Sequence, residues 1–191
     1  MRNISALMLA LVASVAMESA SAGPIICPPI GADTTNCGVI ITVNPNLSLS
    51  VTQTGQGPYD QSDDTLVGIL NNSTSTINSV NLIGNTNIFG FEGDGISSST
   101  YGAPGNSQDT TGYGGPATYF TNISSNFTSG TANFIGGLAG GQSTYFSLER
   151  DLTQVSNPLG GTVGGHTVPE PATLALLGLG LAGMSYTRRR K

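Results

Sequence analysis

The residues of this sequence best suited to chemistry are acids that fall in two short turns. Asp60, Asp63 and Asp64 lie together just before an apolar segment, and Glu92 and Asp94 alternate with glycines. Carboxylate and carbonyl oxygens in tight loops are the ligands that Ca²⁺ prefers, so these five acids form a candidate calcium site. The alternative is ordinary turn chemistry, in which aspartate accepts hydrogen bonds from nearby backbone amides. No other cofactor is indicated.

Two carboxylates could also serve glycoside hydrolysis, which needs a pair of acids about 5–10 Å apart. Glu92, Asp94 and Glu149 are the candidates, but their positions in the chain do not show that any two converge. A Ser-His-Asp arrangement needs a rigidly held base, and the single histidine, His166, follows two glycines near the C-terminus. We therefore predict a protein that is not an enzyme, with a secreted carboxylate-dependent hydrolase as the less favoured alternative.

Cys27 and Cys37 are the two cysteines of the chain. A single pair in an exported protein is typical of a disulfide. Two thiols without a nearby histidine leave a tetrahedral metal ion under-ligated, so a structural zinc site is not indicated.

The composition excludes a nucleic-acid-binding protein. Charged residues make up 9% of the 191 residues, and the formal net charge is −5. Between Asn3 and Thr187 the only cation is Arg150. Neutralising phosphates requires a field of lysines and arginines, which this chain does not offer.

The N-terminus has the three parts of a secretory signal peptide over residues 1–22. Arg2 supplies the positive start, and an apolar segment runs from Ile4 to Met17. The Ala-Ser-Ala sequence at 20–22 is a cleavage site of the A-x-A type. The apolar segment is shorter than the ~20 residues that a membrane span needs.

The C-terminus also has three parts in a fixed order. Pro169, Glu170 and Pro171 precede an apolar segment from Ala172 to about Thr187, and four cations end the chain. The prolines disfavour helix and leave an extended segment. The apolar segment predicts a short transmembrane helix, and the cations hold its end on the cytoplasmic side. These cations are Arg188, Arg189, Arg190 and Lys191.

This tail, residues 168–191, resembles the PEP-CTERM sorting signal of Gram-negative bacteria. The resemblance rests on the Pro-Glu-Pro motif at 169–171, the Leu/Gly/Ala-rich segment at 174–183 and the closing Arg-Arg-Arg-Lys. It implies that an integral-membrane exosortase recognises and cuts the tail. It also implies release or transfer outside the cell, in bacteria that make exopolysaccharide and form biofilms.

Between the two ends, residues 23–155 predict an all-β exported domain. Short apolar segments alternate with turn residues at fairly regular intervals, which favours an antiparallel β-sandwich. We expect the first two segments to pair across the turn at 44–46, and the next two across 71–74. Residues 93–115 predict a long loop, and residues 156–167 a flexible linker to the tail. The predicted strands are 39–43, 47–51, 65–70, 77–83, 117–123, 131–135 and 143–148.

Segments of the body also resemble segments that recur among PEP-CTERM exported proteins, a group for which the resemblance implies no mechanism. They include residues 60–73, 89–96, 111–116, 134–138 and 143–149.

The sequence as a whole predicts an exported protein with an inner-membrane-anchored precursor. The mature form would lie at the cell surface or in the extracellular matrix, with a structural or adhesive role linked to exopolysaccharide. Its predicted partners are an exosortase-like enzyme, the inner membrane through the C-terminal helix, and exopolysaccharide. A secreted module that binds Ca²⁺ or polysaccharide is the alternative.

Overall fold

The computed structural model describes residues 26–31, 36–154, 157 and 159–167. These residues form nine strands and no helix. The predicted signal peptide, transmembrane helix and sorting residues lie outside the described residues. The strands are β1 (Val39–Val43), β2 (Leu49–Gln53), β3 (Thr65–Asn71), β4 (Thr76–Gly84), β5 (Thr118–Thr121), β6 (Ser129–Leu138), β7 (Ser143–Leu148), β8 (Leu159–Val163) and β9 (His166–Thr167).

The strands form two sheets, which confirms the all-β prediction. One sheet has the order β2-β1-β3-β7; the other has the order β5-β6-β4-β8, and β9 also pairs with β4. The pairings are antiparallel apart from β1 with β3. That parallel pair departs from the predicted antiparallel arrangement. It arises because β2 already occupies one edge of β1, so the chain returns through 54–64 to add β3 to the other edge.

The main hydrophobic core lies between the two sheets. Ile41 of β1, Ile69 of β3 and Phe146 of β7 pack in one cluster with Val80 and Leu82 of β4. All five side chains are at most 1% exposed. Alternate residues of each strand point to this core because side chains alternate between the faces of a strand. Replacing such an aliphatic side chain with alanine typically costs about 2–5 kcal/mol.

The first sheet is also covered on its outer face, so β3 is buried on both sides. Leu66 packs there with Tyr59, Ile96 and the disulfide between Cys27 and Cys37. The Cα atoms of the two cysteines are 5.2 Å apart. The disulfide therefore forms as the sequence predicted, and it covers the centre of the sheet.

The prediction of a flexible linker is partly wrong. Within residues 156–167, β8 and β9 pair with β4, and Leu159 is buried in the core. A Cβ at Gly161 would collide with the backbone oxygen of Asn81, so its lack of a side chain permits the close approach of β8. Glycine-rich composition suggested flexibility, but the backbone groups of this segment find partners in β4.

The second predicted hairpin is also wrong, because β3 and β4 belong to different sheets. Residues 71–75 form a polar corner in which Asn71, Ser73 and Ser75 are buried. The Asn71 amide donates to the carbonyls of Ser75 and Leu138, both at 2.7 Å. The Ser73 hydroxyl donates to Asn71 Oδ1 at 2.7 Å. These bonds carry the chain from one sheet to the other. The first predicted pair, β1 with β2, is confirmed.

Removing the disulfide should weaken the fold without changing it. The loop between the cysteines is short, so we expect the Cys27→Ser/Cys37→Ser variant to lose about 2–3 kcal/mol of unfolding free energy. Denaturant unfolding of the full-length chain, followed by circular dichroism, measures this loss. Reducing agent should lower the stability of the wild type and leave the variant unchanged; equal stability of the oxidised wild type and the variant would contradict the prediction.

Candidate functional site

The β3–β7 pairing brings together acids that are far apart in the sequence. In its register Thr65, the first residue of β3, lies opposite Leu148, the last residue of β7. Asp64 precedes β3 by one residue and Glu149 follows β7 by one residue. Antiparallel neighbours therefore place these two acids side by side at the end of the sheet.

Three carboxylates converge at this point. Asp63, Asp64 and Glu149 each offer one carboxylate oxygen, and these oxygens all lie within 4.8 Å of one another. Asp64 is 1% exposed and Glu149 is 3% exposed, whereas Asp63 is partly exposed. We call these three residues the carboxylate cluster. Asp64 and Glu149 are its buried acids, and Asp63 lies on its solvent side.

Tyr59 positions one oxygen of Asp64. Its buried hydroxyl donates to Asp64 Oδ2 at 2.7 Å. The ring of Tyr59 is held edge-on against Tyr101 at 4.9 Å between centroids. The other oxygen, Asp64 Oδ1, is buried and has no hydrogen-bond partner among the described residues. Such an unsatisfied buried acceptor is costly unless something else binds it.

Tyr113 links the cluster to a fourth acid. Its hydroxyl lies 2.6 Å from Asp94 Oδ1 and 2.9 Å from Glu149 Oε2. The ring is stacked on Phe91, with 4.3 Å between centroids. A phenol has one hydrogen and can donate to only one acceptor at a time. Asp94 and Glu149 therefore cannot both accept a hydrogen bond from this hydroxyl. The carboxylate that does not accept it is stabilised at this distance by its own proton or by a nearby positive charge.

Burial is the main electrostatic influence on the cluster. It raises the pKa of Asp64 to about 7; the hydrogen bond from Tyr59 opposes this rise, and the charges of Glu149, Asp94 and Asp60 add to it. Burial also raises the pKa of Glu149, against the hydrogen bond from Tyr113. Burial raises the pKa values of Tyr59 and Tyr113 as well, so both phenols stay protonated.

The nearby arginine does not compensate the two buried acids. Arg150 Nη1 lies 3.5 Å from Asp63 Oδ2, and both side chains are substantially exposed. Its Nε donates to Asn87 Oδ1 at 2.5 Å. The only ion pair among the described residues is thus at the solvent side of the cluster.

The five acids of the predicted calcium site have different positions in the fold. Asp63 and Asp64 converge. Asp60 accepts hydrogen bonds from the backbone amides of Ser62 and Asp64 at 3.0 and 3.1 Å, which is the turn chemistry of the alternative interpretation. Glu92 is exposed, and Asp94 reaches the cluster only through Tyr113.

Sequence reasoning missed the part that Glu149 and the two tyrosines take in this cluster. Glu149 was a candidate only for hydrolysis. The signal that could have found it is the strand register, because a β3–β7 pair that sets Thr65 opposite Leu148 places Asp64 beside Glu149. His166, the predicted linker residue, is exposed on β9.

The comparisons with known proteins identify the C-terminal segment. Residues 167–191 match the model of the PEP-CTERM protein-sorting motif. The chain carries a PEP-CTERM sorting motif. It is therefore an exported protein whose membrane-anchored precursor is sorted and processed by an exosortase, as the resemblance implied. Neither the curated proteins nor the solved structures give a significant match to the chain.

The motif begins where the described fold ends. Its first residue, Thr167, is the last residue of β9. The sorting residues Pro169, Glu170 and Pro171 and the four terminal cations lie outside the described residues. In the part of the chain that the structure describes, no helix has the length and apolarity to span a membrane.

The raised pKa of Asp64 predicts a pH-dependent stability. The unfolded aspartate has a pKa of about 3.9, whereas the folded value is about 7. The folded state therefore binds the extra proton between these values, and stability should fall as pH rises from about 4 to about 7. Above that range Asp64 should cause no further loss.

Asp64→Asn should reduce this decline, because the amide keeps an acceptor for Tyr59 and carries no charge. The unfolding free energy of the full-length chain, measured against pH with chelator present, tests this. Glu92→Gln is the matched control, since it removes an exposed charge and should leave the decline in place. Parallel pH profiles for wild type and Asp64→Asn would contradict the assignment.

Proposed function

We propose that the protein is a non-enzymatic, structural or adhesive component of the cell surface or extracellular matrix. The observation that carries the proposal is the continuity between the folded body and its sorting motif: β9 pairs with β4 and ends at Thr167, where the motif begins. A cut in the motif would leave the β-domain intact, so the product of sorting would be the folded domain itself.

The burial of Glu149 supports a role other than glycoside hydrolysis by this acid. A hydrolase needs two carboxyl groups that flank a bound sugar. Glu149 is 3% exposed and its oxygen contacts the Tyr113 hydroxyl, so a substrate has no room beside it. Glu92 and Asp94 are exposed, but the Asp94 carboxylate already accepts a hydrogen bond from the Tyr113 hydroxyl.

The outer face of the second sheet supports an adhesive role. Asn81 of β4 donates to the Thr162 hydroxyl of β8 at 3.4 Å and accepts from the Thr131 hydroxyl of β6 at 2.9 Å. Directly after β5, Asn122 donates to the Thr131 hydroxyl at 3.3 Å. Amides and hydroxyls thus cross four adjoining segments as a polar ladder. Such groups donate and accept hydrogen bonds as the hydroxyls of a polysaccharide do.

Disabling the sorting motif should keep the precursor uncut. We expect the triple variant Pro169→Ala/Glu170→Ala/Pro171→Ala to accumulate at full length in the membrane fraction, because the enzyme loses the segment it recognises. Intact-mass measurement of the protein from membrane and medium, in cells with and without the exosortase, gives the result. His166→Ala changes an exposed residue next to the motif and should be processed normally. Equal processing of the triple variant would count against sorting by this motif.

Blocking the polar ladder should weaken adhesion to exopolysaccharide. Thr162→Arg places a bulky side chain on the ladder and should weaken co-sedimentation of the protein with exopolysaccharide from the producing cells by about tenfold. Thr52→Arg makes the same change on exposed β2 of the other sheet and serves as the control. Equal binding of both variants, or no binding by wild type, would remove the adhesive role of this face while leaving the sorting intact.

A further inference from the structure

We propose that the carboxylate cluster of Asp63, Asp64 and Glu149 binds one Ca²⁺ ion at the end of the β3–β7 pair. The proposal concerns the folded body and does not depend on sorting or adhesion. It differs from the site expected from the sequence, because Asp60 is engaged with backbone amides and Glu149 takes its place.

The spacing of the oxygens fits calcium. Ca²⁺ binds oxygen at about 2.3–2.6 Å, so two ligands on opposite sides of the ion lie up to about 4.6–5.2 Å apart. The three carboxylate oxygens lie within 4.8 Å of one another. This spacing lets one ion contact all three after small side-chain adjustments. Mg²⁺ binds oxygen at about 2.0–2.1 Å in strict octahedral geometry. The carboxylate oxygens of the cluster would have to lie closer together to bind it.

The unsatisfied oxygen of Asp64 is independent support for a bound cation. Tyr59 fixes Oδ2 of this carboxylate, and Oδ1 remains buried without a hydrogen-bond partner among the described residues. The side chain is 1% exposed, so bulk water does not reach it. Coordination by a cation would satisfy Oδ1 and the negative charge together.

The balance of charge points the same way. Asp94 adds a fourth carboxylate through the Tyr113 hydroxyl. The nearby cation, Arg150, contacts Asp63 on the exposed side, at 3.5 Å. Buried charges are stable when they are paired or coordinate a metal. A divalent ion between Asp63, Asp64 and Glu149 would supply the missing positive charge.

The partial exposure of Asp63 gives the ion a route from solvent and leaves room for water ligands. Ca²⁺ takes six to eight oxygens, so bidentate carboxylates, backbone carbonyls or waters would complete the three side-chain ligands. Sites of this kind belong to the weak class of extracellular modules, with Kd of about 10⁻⁴–10⁻³ M. Binding would join the start of β3 to the end of β7 and raise the unfolding temperature.

Terbium luminescence tests the proposal directly. Tb³⁺ replaces Ca²⁺ and emits when nearby tyrosines are excited, and Tyr59 and Tyr113 both contact cluster carboxylates. With the full-length chain in detergent, we expect saturable emission that CaCl₂ displaces and that MgCl₂ at the same concentration displaces poorly. Calorimetric titration with CaCl₂ should give the same Kd for Ca²⁺ as the displacement of Tb³⁺. CaCl₂ should also raise the unfolding temperature.

Variants assign the ion to the cluster. Asp64→Asn should weaken Ca²⁺ binding by at least about tenfold, since it removes one charged ligand. Glu149→Gln should do the same, whereas Glu92→Gln removes an exposed acid and should bind as wild type. If Asp64→Asn fails to fold, Asp63→Asn at the exposed side replaces it. The proposal would be overturned if the wild type showed neither saturable emission nor calorimetric heat. It would also be overturned if Glu92→Gln lost as much Ca²⁺ affinity as the cluster variants.

Discussion

The position of β3 in the first sheet is the constraint on which the rest of the structure depends. It pairs with β1 on one edge and β7 on the other, and it is buried on both faces. One face packs against the second sheet, and the other lies under the disulfide. At Gly68, in the middle of this strand, a Cβ would collide with Cys37 and Ile26. A strand so enclosed cannot slip in register, because a slip of one residue would reverse its faces.

This fixed register makes the carboxylate cluster an obligatory feature of the fold. Asp64 and Glu149 must meet wherever Thr65 and Leu148 pair. Two buried acids cost free energy unless a proton, a donor or a cation balances them. Tyr59 donates to Asp64 Oδ2, the Tyr113 hydroxyl lies between Glu149 Oε2 and Asp94 Oδ1, and neither tyrosine reaches Asp64 Oδ1. The cluster therefore links the stability of the body to the protonation of its buried acids.

The sorting motif is joined to this body without a long intervening spacer. Because β8 and β9 both pair with β4, the second sheet holds the chain up to the first residue of the motif. The segment that matches the sorting motif therefore follows directly on a paired strand. The folded body and the sorting motif share Thr167, and the polar ladder lies on the same sheet as β9.

The sequence alone determined the features that depend on local patterns: the sorting tail, the all-β class, the β1–β2 hairpin and the disulfide. Strand periodicity and turn residues act over a few positions, so they can be recognised in the chain. Only the tertiary structure decided the separation of β3 from β4, the ordered strands within the expected linker, and the union of Asp63 and Asp64 with Glu149. Each of these depends on which backbone groups pair across distant parts of the chain. The glycines of β8 carry no pattern that marks their partner, and the Asn71 corner redirects the chain through buried hydrogen bonds that form only when Leu138 is in place.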